Sequence, residues 1–176
     1  MPGLRKYVER ALSMGMTKAK IISSENVVVK NWVRIKCQYG CGGYGKRLTC
    51  PPYSPTPEYT RKMVNEYATA LLMQIEDIPS EKEMRLSRKL KSVVAKLERE
   101  IFLDGYYKAF GMASGPCRLC RTCNTKKLCK YPYEARPAME ACGIDVYQTV
   151  RNSGLRLDVV KEEDGCCTYN ALILVE

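Results

Sequence analysis

The apolar positions of the chain change their period from one segment to the next, and each change predicts an element. Leu4, Tyr7, Val8 and Leu12 recur at helical steps, so residues 3–14 are expected to form a short amphipathic helix. Residues 18–36 carry Ile21, Ile22, Val27, Val28, Val29, Val33 and Ile35, a β-branched stretch that predicts one or two short strands. Thr56-Pro57-Glu58 sets a capping hydroxyl before a proline at the first helical position and opens a helix over about 57–67. The run from Ala68 to Ile75 has the length and character of a buried strand. Ser80 and Glu83 have the spacing of a capping box, and Leu86, Leu90, Val93, Val94, Leu97 and Ile101 continue from it as a helical stripe to about Asp104, with Gly105 beyond. Asp145 suits the cap of a helix over 146–153 that stops at Gly154, and residues 155–160 and 168–175 are expected to be the last strands.

Two segments escape any period: Cys37 to Pro57, rich in Gly, Pro and Tyr, and residues 114–137, rich in Cys and basic residues. The expected fold is α/β or α+β, a small mixed sheet with packed helices and two cysteine-rich, cluster-binding loops at about 37–57 and 114–142. With 176 residues, 45% of them hydrophobic, and no internal repeat, residues 1–176 are expected to form a single domain. The apolar run Ala68 to Ile78 is too short and, with Glu76 and Asp77, too polar to enter a bilayer as a span. The first fifteen residues carry Arg5, Lys6, Glu9 and Arg10 with no apolar core of a secretory signal behind them. The expected location is therefore the cytoplasm, where ten cysteines remain reduced thiols.

Ten thiols in such a chain call for metal, and the absence of histidine narrows the choice. Imidazole-based zinc enzymes and His-activated nucleophiles are excluded; a thiolate-only site means four-cysteine zinc or an iron–sulfur cluster. Cys117-x2-Cys120-x2-Cys123 presents three sulfurs at successive two-residue gaps, as the bacterial ferredoxin run does for three corners of a 4Fe–4S cubane. Cys129 follows after a gap of five rather than three, so the fourth ligand is less firmly marked. Cys37-x3-Cys41-x8-Cys50-Pro-Pro, among Gly40, Gly42, Gly43 and Gly45, supplies three more sulfurs where backbone amides can come close. Cys129 and Cys142 would complete two sets of four. In two-cluster ferredoxins the fourth cysteine crosses to the other cluster. By that analogy Cys129 goes with Cys37, Cys41 and Cys50, and Cys142 with Cys117, Cys120 and Cys123; the opposite assignment stays open.

Cys37-Gln-Tyr-Gly-Cys41, Tyr44-Gly45-Lys46 and the stretch from Cys50-Pro-Pro to Glu58 resemble the first half of a family of small cysteine-rich "predicted metal-binding" proteins, a domain of unknown function found in methanogens and other anaerobes, archaea among them. Gly115-Pro-Cys117-Arg-Leu-Cys120, Cys123, Cys129 and Ala135-Arg-Pro-Ala-Met-Glu-Ala-Cys142-Gly-Ile-Asp-Val146 resemble its second half. The resemblance implies metal binding by the eight cysteines and brings no reaction with it. Cys166 and Cys167 lie outside these motifs. Neighbouring side chains on a strand point to opposite faces, so one buried and one exposed thiol are expected there.

The formal net charge is +10, from 29 Lys and Arg against 19 Asp and Glu. Arg118, Arg121, Lys126, Lys127 and Lys130 crowd the second loop, and Lys46 and Arg47 lie in the first. Part of this charge balances cluster and thiolates, and the remainder would dock an acidic redox partner protein. Tyr39, Tyr44, Tyr53, Tyr131 and Tyr133 are expected to shield clusters from water; nucleic-acid stacking is the less favoured use, and no nucleic-acid motif is present. Arg136, Glu140 and Asp145 are expected to form ion pairs and a helix cap, with contact to metal ligands or substrate as the alternative. The leading expectation is an iron–sulfur electron carrier or redox subunit of anaerobic metabolism with two 4Fe–4S clusters. One rival is an enzyme with an open iron that handles a small substrate or sulfur. The other is a structural four-cysteine zinc module that binds RNA or protein.

Overall fold

An amphipathic helix opens the chain: α1 spans Arg5–Ser13 and buries Tyr7 and Ala11. The chain then turns at Gly15 into β1, Lys18–Ser23. Of the one or two strands expected in this region, one forms. Val33 and Ile35 lie instead in α2, Trp32–Gly40, whose one buried residue is Val33. The valine triplet before it pairs outside the sheet, Asp145 N donating to Val28 O (2.8 Å) and Lys30 N to Gly143 O (2.9 Å). Helix α3 spans Pro57–Val64 with Thr56 accepting from the Tyr59 amide, as the sequence predicts.

Strand β2, Thr69–Ile78, is followed by a single 3-10 turn at Ser80–Lys82 and then by α4, Glu83–Leu103. No capping box closes: Glu83 accepts a hydrogen bond from the Tyr169 hydroxyl instead, so the carboxylate is drawn away from the helix end. Past Gly105 (φ +100°) comes β3, Phe110–Met112, which the sequence analysis does not anticipate, and after the second cysteine segment α5, Val146–Asn152, capped by Asp145. Strand β4, Cys167–Leu174, ends the fold. Residues 155–160 are not a strand; the Arg156 carbonyl is taken by the side-chain amide of Gln74 (3.1 Å) rather than by a ladder. The computed structural model describes residues 2–162 and 165–176.

The sheet order is β1-β2-β4-β3 with every pairing antiparallel, and the class is α+β. The two central strands are buried on both faces, which explains their unbroken apolar runs. Leu71, Met73 and Ile75 of β2, with Ala171 and Ile173 of β4, face α1 and α4. Ala70 and Leu72, with Leu172 and Leu174, face a second layer that holds Val27, Val29, Met139, Cys142, Ile144 and Val150. Gln74 sits within this double burial and donates to Asn170 Oδ1 across the register (2.9 Å). Among the described residues no helix is long and apolar enough to cross a membrane.

Candidate metal centre

The second cysteine segment departs from the sheet edge and comes back to it at one place. Ala113 N donates to Pro137 O (2.8 Å) and Met139 N to Ala113 O (2.9 Å), closing the base of residues 114–137, which hold no helix or strand. Within it Cys117, Cys120, Cys123 and Cys129 line one small void, together with Leu48 and Thr49 of the first segment and Tyr131. Amides are directed at the sulfurs. Tyr131 N donates to Cys129 Sγ (3.4 Å), and the Leu119 amide to Cys117. Burial raises the Cys117 thiol pKa, and that amide works against it by favouring the thiolate.

The first segment assembles three sulfurs. Cys37 lies in the last turn of α2, Cys41 just past its end, and Cys50 is buried after a series of turns, next to the cis Pro51-Pro52 bond. All three line a cavity of about 330 Å³. Gly43 lies against them: its amide donates to Cys41 Sγ (3.5 Å), and a Cβ there would stand 3.5 Å from Cys50 Sγ, 3.6 Å from Cys41 Sγ and 3.1 Å from Pro116 Cβ. The Thr49 hydroxyl pulls the Cys50 thiol down against the larger effect of burial. Burial, then the neighbouring Cys41, pushes Cys37 up to about 11, and its thiol donates to Glu140 O (3.8 Å).

The rest of this cavity is mostly apolar, with Trp32, Tyr44, Pro116, Val146 and Tyr147 among its walls. Glu140 also lines it. Its backbone lies in a 3-10 turn, Glu140–Cys142, packed on α2 and pinned at the Ala141 carbonyl by Arg34 Nη1 (2.8 Å) and Ser54 Oγ (2.6 Å). Gly143 after it takes φ +83° and packs on Pro57, where a Cβ would meet Cγ at 2.8 Å. Arg136 and Asp145 have the ion-pair and cap roles expected of them, with Glu98 and with the Gln148 amide. Glu140 does not: its Oε2 is buried with no hydrogen-bond partner among the described residues, and burial raises its pKa.

Neither of the two assignments left open by the sequence is met in full. Cys129 is on the void of its own segment. Cys142 is wholly buried in the second apolar layer, lines neither cavity, and is pushed up to about 12 by burial. The segments are nonetheless joined: Arg47 of the first donates to the carbonyls of Cys120 (2.8 Å) and Arg121 (3.4 Å), and Gly43 packs on Pro116. Lys91 of α4 feels both sulfur groups; burial and then Arg118 lower its pKa to about 8, while Cys117, Glu140 and Cys50 oppose the shift. Among the described residues no three Cys, Asp or Glu side chains are drawn together as closely as one metal ion requires.

The tyrosines divide. Tyr44 and Tyr131 are half-buried on the two cavities, whereas Tyr39, Tyr53 and Tyr133 are exposed and line neither. The charge divides too. Arg88, Lys96 and Arg99 of α4 face Arg47, Arg118 and Arg121 across a groove of about 870 Å³ beside Cys120. Lys126, Lys127 and Lys130 are exposed outside it. The α4 residues were missed in the sequence, although their spacing of three and eight places them on one helical face. Cys166 is exposed and Cys167 half-buried, and neither lines a cavity described above.

A family model described as "Predicted metal-binding protein (DUF2284)" matches residues 20–175, a span that contains all ten cysteines. No curated protein and no solved structure matches the chain.

Proposed function

Since the chain belongs to this family of predicted metal-binding proteins, we propose that it is an iron–sulfur protein that holds two 4Fe–4S clusters and carries electrons for a partner enzyme. The convergence of Cys117, Cys120, Cys123 and Cys129 on one void supports this reading above all. The residues present fit such a group. The donors are soft thiols without imidazole, and the amides of Gly43, Leu119 and Tyr131 are directed at sulfur, where they stabilise thiolate charge and tune potential. When bound, the clusters supply one-electron oxidation and reduction. The protein's own residues do the rest. Tyr44 and Tyr131 exclude water, Arg47 holds the two sites side by side, and the basic groove beside Cys120 attracts an acidic partner.

One observation favours a second reading for the first site: three thiols, not four, open onto an apolar cavity of about 330 Å³. That arrangement suits an enzyme in which one iron lacks a cysteine and meets a small substrate. Anaerobic purification with metal analysis tests the common premise. A brown protein with iron and acid-labile sulfide at about eight each is expected for two clusters. Stoichiometric zinc in a colourless protein would establish the zinc module instead.

A further inference from the structure

We propose that the Glu140 carboxylate, and not the Cys142 thiol, completes the site of Cys37, Cys41 and Cys50, as an oxygen ligand to the iron those three cysteines leave free. Such a role presupposes the cluster reading of these thiols given above.

Among the described residues Glu140 Oε2 is buried and has no hydrogen-bond partner. A buried carboxylate oxygen left without a partner is costly, and proteins retain one where a cation or a ligand meets it. Lys91, the cation whose charge acts on it, gives its ammonium hydrogen bond to Ser87 Oγ (2.8 Å). The carboxylate lines the same cavity as the three sulfurs. Its position is built into the fold: the Cys37 thiol reaches the Glu140 carbonyl, and Arg34 and Ser54 hold the next carbonyl. Cys142, the remaining thiol of the region, has no exposed surface and packs with the second apolar layer outside the cavity. A carboxylate is a harder donor than a thiolate and binds iron less tightly in a sulfur environment. An iron held there would therefore be the exchangeable corner, in a cavity whose remaining walls are mostly apolar. A small molecule entering there would displace an oxygen, not a sulfur.

The test uses the full chain, purified anaerobically, with iron and sulfide counts and electron paramagnetic resonance before and after ferricyanide. Ferricyanide takes one electron from a 4Fe–4S core, 2+ to 3+; one Fe2+ then leaves, and a 3Fe–4S core of 1+ remains. Wild type is expected to hold about eight irons and to lose about one under ferricyanide. Glu140→Gln should be isolated with about seven irons and already show the three-iron signal. Glu140→Cys, with a fourth thiolate, should keep about eight and resist ferricyanide. That variant decides the matter even if the glutamine variant fails to fold. Cys142→Ser should match wild type. Overturning results would be a Glu140→Cys protein no more resistant than wild type, or iron loss in Cys142→Ser with none in Glu140→Gln. Cys50→Ser separates the premise from the inference: unchanged iron content in that variant would mean that these thiols hold no cluster at all.

Discussion

Glu98 illustrates how single contacts secure the metal region to its scaffold. Its carboxylate accepts from Gly111 N (2.8 Å) and from Nε and Nη2 of Arg136 (both 2.5 Å), with the two side chains only 11% and 16% exposed. A Cβ on Gly111 would stand 2.5 Å from Val94 Cγ1 and 2.7 Å from Glu98 Oε2, so the approach of β3 to α4 requires glycine. Arg136 also donates to Pro132 O and Ala135 O, and thus fixes the end of the second cysteine segment to α4. Arg136→Ala would leave the carboxylate buried with one amide for company, and breaking such a pair costs about 3 kcal/mol. Anaerobic urea unfolding should register that loss. Arg136→Lys should recover part of it, since one ammonium keeps the charge without the two-pronged geometry. A loss below about 1 kcal/mol for the alanine variant would class the contact with ordinary surface pairs.

At the scale of elements, what the sequence reveals follows from how locally each element is determined. The stripe of α4, the proline-led start of α3 and the Asp145 cap are local signals, and each appears where the residues place it. Helix α2 is different. Val33 and Ile35 favour a strand locally, and the helix is held by packing on the turn at 140–142, a hundred residues away, with Cys37 as one of the contacts. Glu83 likewise loses its capping role to Tyr169 at the far end of the chain. Strand β3 has three residues, one of them glycine, too few to show a period. For the candidate site, spacing marked the cysteines as a set. The division between segments was not readable, because it depends on which face of the 140–142 turn meets α2. The second segment has no regular hydrogen bonding of its own, so its order is expected to come from metal. Cys120→Ser should lose about half of the iron and make residues 114–137 the first site of limited proteolysis. Full iron content with unchanged cleavage would remove Cys120 from the ligand set.

For the whole molecule, the basic groove shifts the proposed docking face away from the loop tip and onto α4. Arg88→Glu with Lys96→Glu should slow electron exchange with an acidic one-electron carrier by about tenfold or more at low salt. The difference should shrink as salt rises, because exposed charges are screened beyond about 8–10 Å. Lys126→Glu with Lys127→Glu should do much less, since neither lysine lines the groove. Iron content, equal in both variants, is the control, and stopped-flow rates across a salt series are the measurement. Equal slowing by both pairs, or rates indifferent to salt, would reject the groove. The closed base of residues 114–137 has a further consequence. The chain leaves the scaffold at Ala113 and regains it at Pro137 and Met139 through two adjacent hydrogen bonds, so the backbone of this stretch departs and returns at one place and is otherwise tied by side chains such as Arg47 and Arg136. Residues could be inserted into it or trimmed from it without altering the strand register on either side, whereas the Cys37–Cys50 stretch is bounded by two helices that both pack into the body. Across related chains, variation in length should therefore accumulate between Cys123 and Cys129, and the sheet beneath should keep its dimensions.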